Sequence, residues 1–377
     1  MADLKKLKDS GPLAVIGLMS GTSMDGVDAA WLETDGEQVS SFGASLMVPY
    51  EPAFRARLHR FVSSVPEKHH PQAGAIEVEL TDLHAKAVEA LIAKAGRGPD
   101  LIGFHGQTVW HRPQRRQTWQ IGDGRRLAKA LQVPVVYDFR SNDVNNAGQG
   151  APLLPLFHAK LVAERAKPIV VANIGGVANI TWLGERRDSP GATQFPYAIL
   201  GFDTGPGNAM LDDWMLKHTG AAMDRDGKAS GAGRVDTARL ARLLSSPFFS
   251  QPPPKSLDRL AFDMRVVEGL SVNDGAATLI EFTAASIVKA ISLCPAPPRQ
   301  LLVTGGGRHN PTLMRRLTEL SGLPTQPIEA VGCDGDVIEA QAFAYFAARH
   351  VRGLPLTYPE ITGVSKPLMG GKLAEPV

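Results

Sequence analysis

The sequence predicts an α/β protein of two domains, and three observations carry that expectation. One arrangement recurs along the chain: a short apolar run, a glycine turn, then a segment with helically spaced apolar residues. Length and composition allow two cores, since the chain has 377 residues of which 44% are hydrophobic and 21% charged. The pattern also restarts. LVAERAKP (161–168) closes a helical stretch and leads into a new apolar strand that runs into a double glycine, as the chain did near its beginning. A boundary is therefore expected near residue 165, with residues 1–165 as an N-terminal and 166–377 as a C-terminal domain, leaving the C-terminal tail free to pack back on the first.

Taken in order, the expected strands are Leu13–Leu18, Leu101–Phe104, Val133–Tyr137, Ile169–Asn173, Ala178–Leu183, Ala198–Phe202 and Leu301–Thr304. Each is a brief apolar run, and most end in a turn rich in glycine. Helical spacing predicts helices over Ala73–Lys94, Asn208–His218, Ala276–Leu293 and Val337–Arg349. Strands alternating with helices imply largely parallel sheets covered on both faces. QPPPK (251–255) and CPAPPR (294–299) are expected to be surface loops, and no repeat of short fixed period is present.

The formal net charge of +2 gives no reason to expect a surface for nucleic acid or another polyanion. Two cysteines, Cys294 and Cys333, lie outside any CxxC and make no disulfide framework, which favours a reducing, cytoplasmic setting. KKLK (5–8) followed by PLAVIGLM has the charge-then-apolar order of a leader. Asp9 to Pro12 interrupt it, however, and no small-x-small cleavage pattern follows, so no leader is expected. No run of about 18 apolar residues predicts a membrane span.

GLMSGTSMDGVD (17–28) leaves the first strand and immediately uses several small residues and two aspartates. Gly21 and Gly26 permit a tight hairpin, and its amides with the Ser20, Thr22 and Ser23 hydroxyls suit phosphate oxygens. An ordinary hairpin with a polar tip would look the same. What favours the functional reading is recurrence, at NIGGVAN (173–179), FDTGPGN (202–208) and TGGGRHN (304–310). None is a Walker loop or a GxGxxG that opens a helix.

These blocks, with GFHGQTVWHRP, QIGDG, DFRSNDV, GQGAPL, DRDG and IEAQAFAYFA in this order, resemble the anhydro-N-acetylmuramic acid kinase family of the actin-like ATPase and sugar kinase superfamily, from about residue 13 to about residue 365. The resemblance implies a two-domain actin-like fold with an interdomain cleft, use of ATP and Mg²⁺, and a homodimer. It also implies phosphorylation of 1,6-anhydro-N-acetylmuramic acid with hydrolytic opening of its anhydro ring, a step in peptidoglycan recycling.

The same resemblance assigns residues. Asp203, at a strand end where its carboxylate faces a cleft, becomes the catalytic base; the competing reading is a carboxylate that caps its own turn through Gly205 or Gly207. Phosphate binding falls to Gly21, Thr22, Ser23, Met24, Asp25, Gly26, Val27 and Asp28, to Asn173, Gly175 and Gly176, and to the nucleoside turn Gly305, Gly306 and Gly307. Asp25 is the candidate magnesium ligand. The chain departs from the wider superfamily here, with Met19 where many relatives carry an aspartate two positions before the hairpin glycine. Sugar contacts are expected from His105, Gln107, Asp138, Arg140, Thr204, Gly205, Asn208 and Glu339. Arg140 would pair the lactyl carboxylate, against the alternative of a loop ion pair with Asp138. Asp224 and Asp226 read as turn residues, and His69, His70, His105 and His111 lack zinc-ligand spacing.

Two other readings share this fold. A conventional sugar kinase would phosphorylate a free hydroxyl without consuming water. An actin-like chaperone or scaffold would be expected to carry a further peptide-binding or polymerising module, whereas the chain ends soon after its last helix of superfamily type.

Overall fold

The computed structural model describes residues 7–8, 11–21, 23–188, 195–258 and 261–376; Lys5 and Lys6 of the basic N-terminal run and Thr22 of the first hairpin lie outside them. The chain forms two compact units, one of residues 1–160, 337–359 and 363–377, the other of residues 161–336 and 360–362.

The first unit contains β1 (Leu13–Ser20), β2 (Gly26–Thr34), β3 (Val39–Pro49), β4 (Leu101–Arg112), β5 (Gln117–Ile121), β6 (Val135–Tyr137) and, from the chain's end, β12 (Lys372–Ala374). Their order is β12-β6-β4-β1-β2-β3, with β5 paired to β4. The second holds β7 (Ile169–Ile174), β8 (Val177–Arg186), β9 (Tyr197–Pro206), β10 (Leu301–Thr304) and β11 (Thr325–Pro327) in the order β11-β10-β7-β8-β9. The four helices foreseen from the pattern are α1 (Ala73–Ala95), α2 (Ala209–Thr219), α3 (Val272–Ile291) and α4 (Ile338–Val351).

Two expectations need correction. The sheets are mixed, not largely parallel: β1–β4, β4–β6, β7–β10 and β10–β11 are parallel, whereas β1–β2, β2–β3, β7–β8 and β8–β9 are antiparallel. A two-residue or similarly tight glycine turn can only return the chain antiparallel, and parallel pairing is left to strands joined by longer crossovers. Nor is the chain divided by one cut near residue 165. It returns to the first unit at Val337, because two strand glycines let α4 lie directly on β1 and β4. A Cβ on Gly17 would stand 1.7 Å from the Ala340 carbonyl oxygen, and one on Gly103 would stand 2.1 Å from that of Phe343. The tail then adds β12 antiparallel to β6.

Each unit has its own apolar core. Ile16, Leu18, Val27, Trp31, Leu80 and Phe104 are among the fully enclosed residues of the first, and Val170, Ile174, Ile180, Phe202, Phe282 and Val303 among those of the second. The strands that the pattern missed explain themselves. The β3 strand is an edge whose side chains are all half-exposed or exposed, so its brief apolar run Leu46–Val48 is buried nowhere and sits among small polar residues. Among the described residues no helix is long and apolar enough to cross a membrane.

Candidate active site

In the second unit, β7 and β8 form the expected hairpin around Gly175 and Gly176, with Asn173 opposite Asn179. The FDTGPGN segment locks onto this turn. The amides of Gly207 and Asn208 donate to the carbonyls of Gly176 and Gly175 at 2.9 and 2.7 Å, and Asn208 Nδ2 donates to the Ile174 carbonyl at 3.2 Å. Asp203 sits at the end of this network, only 6% exposed. The ladder between β8 and β9 shifts at this point, from Ala178 opposite Gly205 to Asn179 opposite Asp203, so Thr204 is one extra residue on β9. Such a bulge re-aims the neighbouring side chain, a device common beside active sites. The bulged Thr204 is buried and its hydroxyl donates to the Ala178 carbonyl at 3.1 Å, which commits that group to the sheet.

The alternative for Asp203 was a cap on its own turn. Its Oδ2 accepts from the Leu257 amide at 2.7 Å, 54 residues away in sequence, and its own amide donates to the Lys255 carbonyl at 3.0 Å, so a segment outside that turn holds it. Lys255 corrects another expectation. QPPPK is not wholly a surface loop, since this lysine is 6% exposed and donates to the Phe248 carbonyl at 2.8 Å.

The glycines divide into two kinds. Gly207 and Gly307 are required by packing, because added Cβ atoms would meet the Gly175 carbonyl oxygen at 2.1 Å and Ile174 Cγ2 at 2.5 Å; Gly305 is required by a φ of +75° as well. Gly175 and Gly306 are required by nothing in the protein, for a Cβ on either would meet no atom closer than 3.6 Å. Space left open at a turn where backbone can approach a ligand is what a phosphate cradle needs. The TGGGRHN turn is held from behind by Arg308, whose buried guanidinium donates to Glu329, Asp336 and the Gly305 carbonyl at 2.8, 2.8 and 3.1 Å. Sequence reasoning passed over Arg308. Asp224 is a turn residue as read, taking up the amides of Ala229 and Ser230.

In the first unit the hairpin Gly21–Asp28 joins β1 to β2. Gly21 is also unconstrained, its nearest Cβ contact being Ser23 Oγ at 3.6 Å. Asp25 is exposed and accepts from Ser23 Oγ at 2.7 Å, while Met24 is buried at φ +49° with its carbonyl held by Arg55 at 3.0 Å. Among the described residues no three His, Cys, Asp or Glu side chains gather as a metal cage. That fits magnesium no worse, because this ion commonly takes one or two carboxylates and completes its shell with water and phosphate.

The remaining predicted residues gather at the neighbouring strand ends. The β1–β4 ladder shifts between Leu18 opposite Phe104 and Ser20 opposite Gln107, with Gly106 at φ +73°, so His105 also stands at a bulge. His105 donates from Nδ1 to the Gly106 carbonyl at 2.8 Å and accepts at Nε2 from Arg140 Nε at 3.1 Å. Burial, with the Arg140 charge, holds it neutral by pushing its pKa well below the usual value. Its ring packs on Phe343 at 4.5 Å, one helical turn from Glu339. Gln107 is buried and accepts from Ser20 Oγ at 2.7 Å, and Tyr50 donates to the same Ser20 at 2.8 Å. Tyr50 was not foreseen. Asp138 pairs with Lys372 at 2.7 Å, so the loop ion pair with Arg140 does not form; Arg140 Nη1 donates to the Gly150 carbonyl instead, at 2.8 Å.

Two adjoining cavities of about 650 and 120 Å³ open here, sharing Lys68, Thr118, Asp138 and Ser141. The larger is bordered by Arg112, Arg115 and Arg116, and the smaller by His105. The larger lies within the range of small-molecule sites, and its cationic border suits an acidic ligand.

Open glycine turns beside a fixed strand-end carboxylate are the equipment of a phosphoryl-transfer enzyme of the α/β sugar-kinase class. The family model for anhydro-N-acetylmuramic acid kinase matches residues 13–375. The chain belongs to the anhydro-N-acetylmuramic acid kinase family, and it is an enzyme, a kinase. The proteins of that name from Acidiphilium cryptum and Rhodospirillum rubrum are 53% and 50% identical to it, covering 96% and 97% of this chain and 98% and 95% of their own. Among solved structures, the activator of the 2-hydroxyisocaproyl-CoA dehydratase from Clostridium difficile with bound ADPNP has a TM-score of 0.46 at 13% identity, covering 90% of this chain and 96% of that one. Xylulose kinase from Lactobacillus acidophilus also reaches 0.46, at 10% identity with coverage of 97% and 94%.

Proposed function

We propose that this kinase, in a two-domain actin-like fold, converts 1,6-anhydro-N-acetylmuramic acid, ATP and water into N-acetylmuramic acid 6-phosphate and ADP. Asp203 is the general base. It accepts a proton from the water whose oxygen bonds to the anomeric carbon; the bond from that carbon to O6 breaks, and O6 takes the γ-phosphoryl group as its bond to the β-phosphate oxygen breaks. The leaving sugar oxygen ends on phosphorus, so no second carboxylic acid is needed to protonate it, unlike in an inverting glycosidase. The observation that carries this reading is the buried Asp203 carboxylate, aimed by a bulge and fixed from outside its own turn, on the element that closes the Gly175–Gly176 hairpin.

Gly175, Gly176 and Gly306 with Asn173 offer the second unit's cradle for phosphate oxygens, and Gly21, Ser23 and Gly26 offer the first unit's own. A magnesium ion would be held through Asp25 or Asp28, directly or by way of its waters, and would supply positive charge to the triphosphate oxygens. His105, Asp138, Arg140 and Glu339 orient the sugar, with Gln107, Thr204 and Gly205 shaping the backbone around it and Asn208 at the hairpin edge. The enzyme works in the cytoplasm as a homodimer, in cell-wall recycling.

Asp203→Asn tests the assignment. The amide keeps the shape and can still accept from Leu257, so kcat should fall about a hundred- to ten-thousand-fold, the usual scale of general-base assistance, with both Michaelis constants nearly unchanged. A variant that turns over at the wild-type rate would move the base elsewhere.

A further inference from the structure

The Asp203 carboxylate is held by a segment that is far from it in sequence, and that segment has its own anchor. The Lys255 carbonyl accepts from the Asp203 amide at 3.0 Å and the Leu257 amide donates to Asp203 Oδ2 at 2.7 Å, so residues 255–257 grip both the backbone and the side chain of the base. A carboxylate tied by one N–H has its rotamer and the direction of its lone pairs set. What keeps the gripping segment in place is the side chain of Lys255 itself. This residue is 6% exposed; its ammonium donates to the Phe248 carbonyl at 2.8 Å and lies 4.5 Å from the Phe248 ring centre and 5.6 Å from that of Phe202, the residue immediately before the base. Among the described residues no carboxylate pairs with this ammonium, and burial lowers its pKa.

A buried ammonium held by one carbonyl and two aromatic faces costs more to desolvate than an apolar side chain of the same length. Surface covering alone does not account for a lysine here, since methionine would fill the space. A cation does something methionine cannot: it ties the loop to the rings on either side, one of which belongs to the strand that carries Asp203.

We propose that Lys255 is a positioning residue for the reaction. Its ammonium, seated between Phe202 and Phe248, sets the 255–257 backbone that orients the Asp203 carboxylate toward the attacking water. The proposal rests on Asp203 being the base. In geometric terms, a base misaimed by a fraction of an ångström loses rate while the substrates still bind, because their contacts lie elsewhere.

The test is steady-state kinetics of full-length Lys255→Met, Lys255→Arg and Asp203→Asn proteins with Mg-ATP and the anhydro-sugar. Lys255→Met should lower kcat about ten- to a hundredfold while both Michaelis constants stay within about threefold. Lys255→Arg, which keeps a cation over the rings and a donor for the Phe248 carbonyl, should recover at least half of that loss on a logarithmic scale. Should Lys255→Met fail to fold, Phe248→Leu keeps the carbonyl and removes one ring, and it should lower kcat severalfold in the same selective way. Wild-type kcat in Lys255→Met, or a loss shared equally by the Michaelis constants and not relieved by arginine, would overturn the positioning role while Asp203→Asn remained dead. An active Asp203→Asn enzyme would instead remove the base assignment, and the proposal with it.

Discussion

At the scale of single residues, the site is made of side chains whose hydrogen bonds leave them one orientation. Arg140 shows how this works. Its Nε supports the buried neutral His105 and its Nη1 supports the Gly150 carbonyl, and Asp138, the neighbour that would have neutralised it, is occupied by Lys372. A planar guanidinium holds several such contacts in one fixed fork, a geometry that a single ammonium does not reproduce. Arg140→Lys should therefore raise the Michaelis constant for the anhydro-muramic substrate about tenfold, the worth of one charge-assisted hydrogen bond. An anhydro-sugar without the lactyl group should lose little by comparison in steady-state assays. Equal losses for both sugars would make Arg140 a framework residue only.

At the scale of elements, the glycine turns separate what the fold needs from what a ligand needs. Gly207→Ala drives a methyl into the Gly175 carbonyl oxygen and should lower the melting temperature sharply, as strain in a packed turn does. Gly175→Ala brings its methyl no closer than 3.7 Å to the Val177 carbonyl oxygen, an ordinary contact, so the fold should keep its stability to within about 0.5 kcal/mol while calorimetry shows weaker nucleotide binding. The motifs that carry these turns were legible in the sequence because glycines clustered at a strand end serve a tight turn or a close approach of backbone and little else. Asp203 was legible for the same reason, being next to such a turn. The segment that orients it was not. Lys255 and Leu257 lie more than 50 residues downstream in a proline-rich loop, and a pairing between distant backbone groups leaves no mark in residue type. Gly17 and Gly103 were equally opaque: inside apolar strands they read as ordinary small residues, yet they let α4 lie on the first sheet, so the chain returns to the first unit at Val337.

At the scale of the whole molecule, the first unit buries histidines that must stay neutral. His84 and His111 have pKa values lowered to about 4 and His158 to about 3, chiefly by burial, and His105 is pushed well below the ordinary value as well. In the unfolded chain each takes a proton near pH 6.5. These groups leave stability unaffected above that pH, and as pH falls from about 6.5 toward 4 the unfolded state binds protons that the folded state refuses, so stability is lost across that window. Thermal melts between about pH 7.5 and 4.5 should show a falling transition, and replacing His158 by a neutral residue of similar size should flatten the fall. The central claim, however, is chemical: water attacks the anomeric carbon while O6 takes the phosphoryl group. It is tested most directly by running the reaction in ¹⁸O-labelled water with Mg-ATP and the anhydro-sugar, reducing the product at once with borohydride, and locating the label by mass spectrometry. The account predicts one ¹⁸O on C1, unlabelled phosphate on O6 and a product that, before reduction, is heavier than the substrate by a phosphoryl group (HPO₃) and one water. A product that keeps its anhydro ring and carries phosphate on a free hydroxyl, or label found on phosphorus, would contradict it.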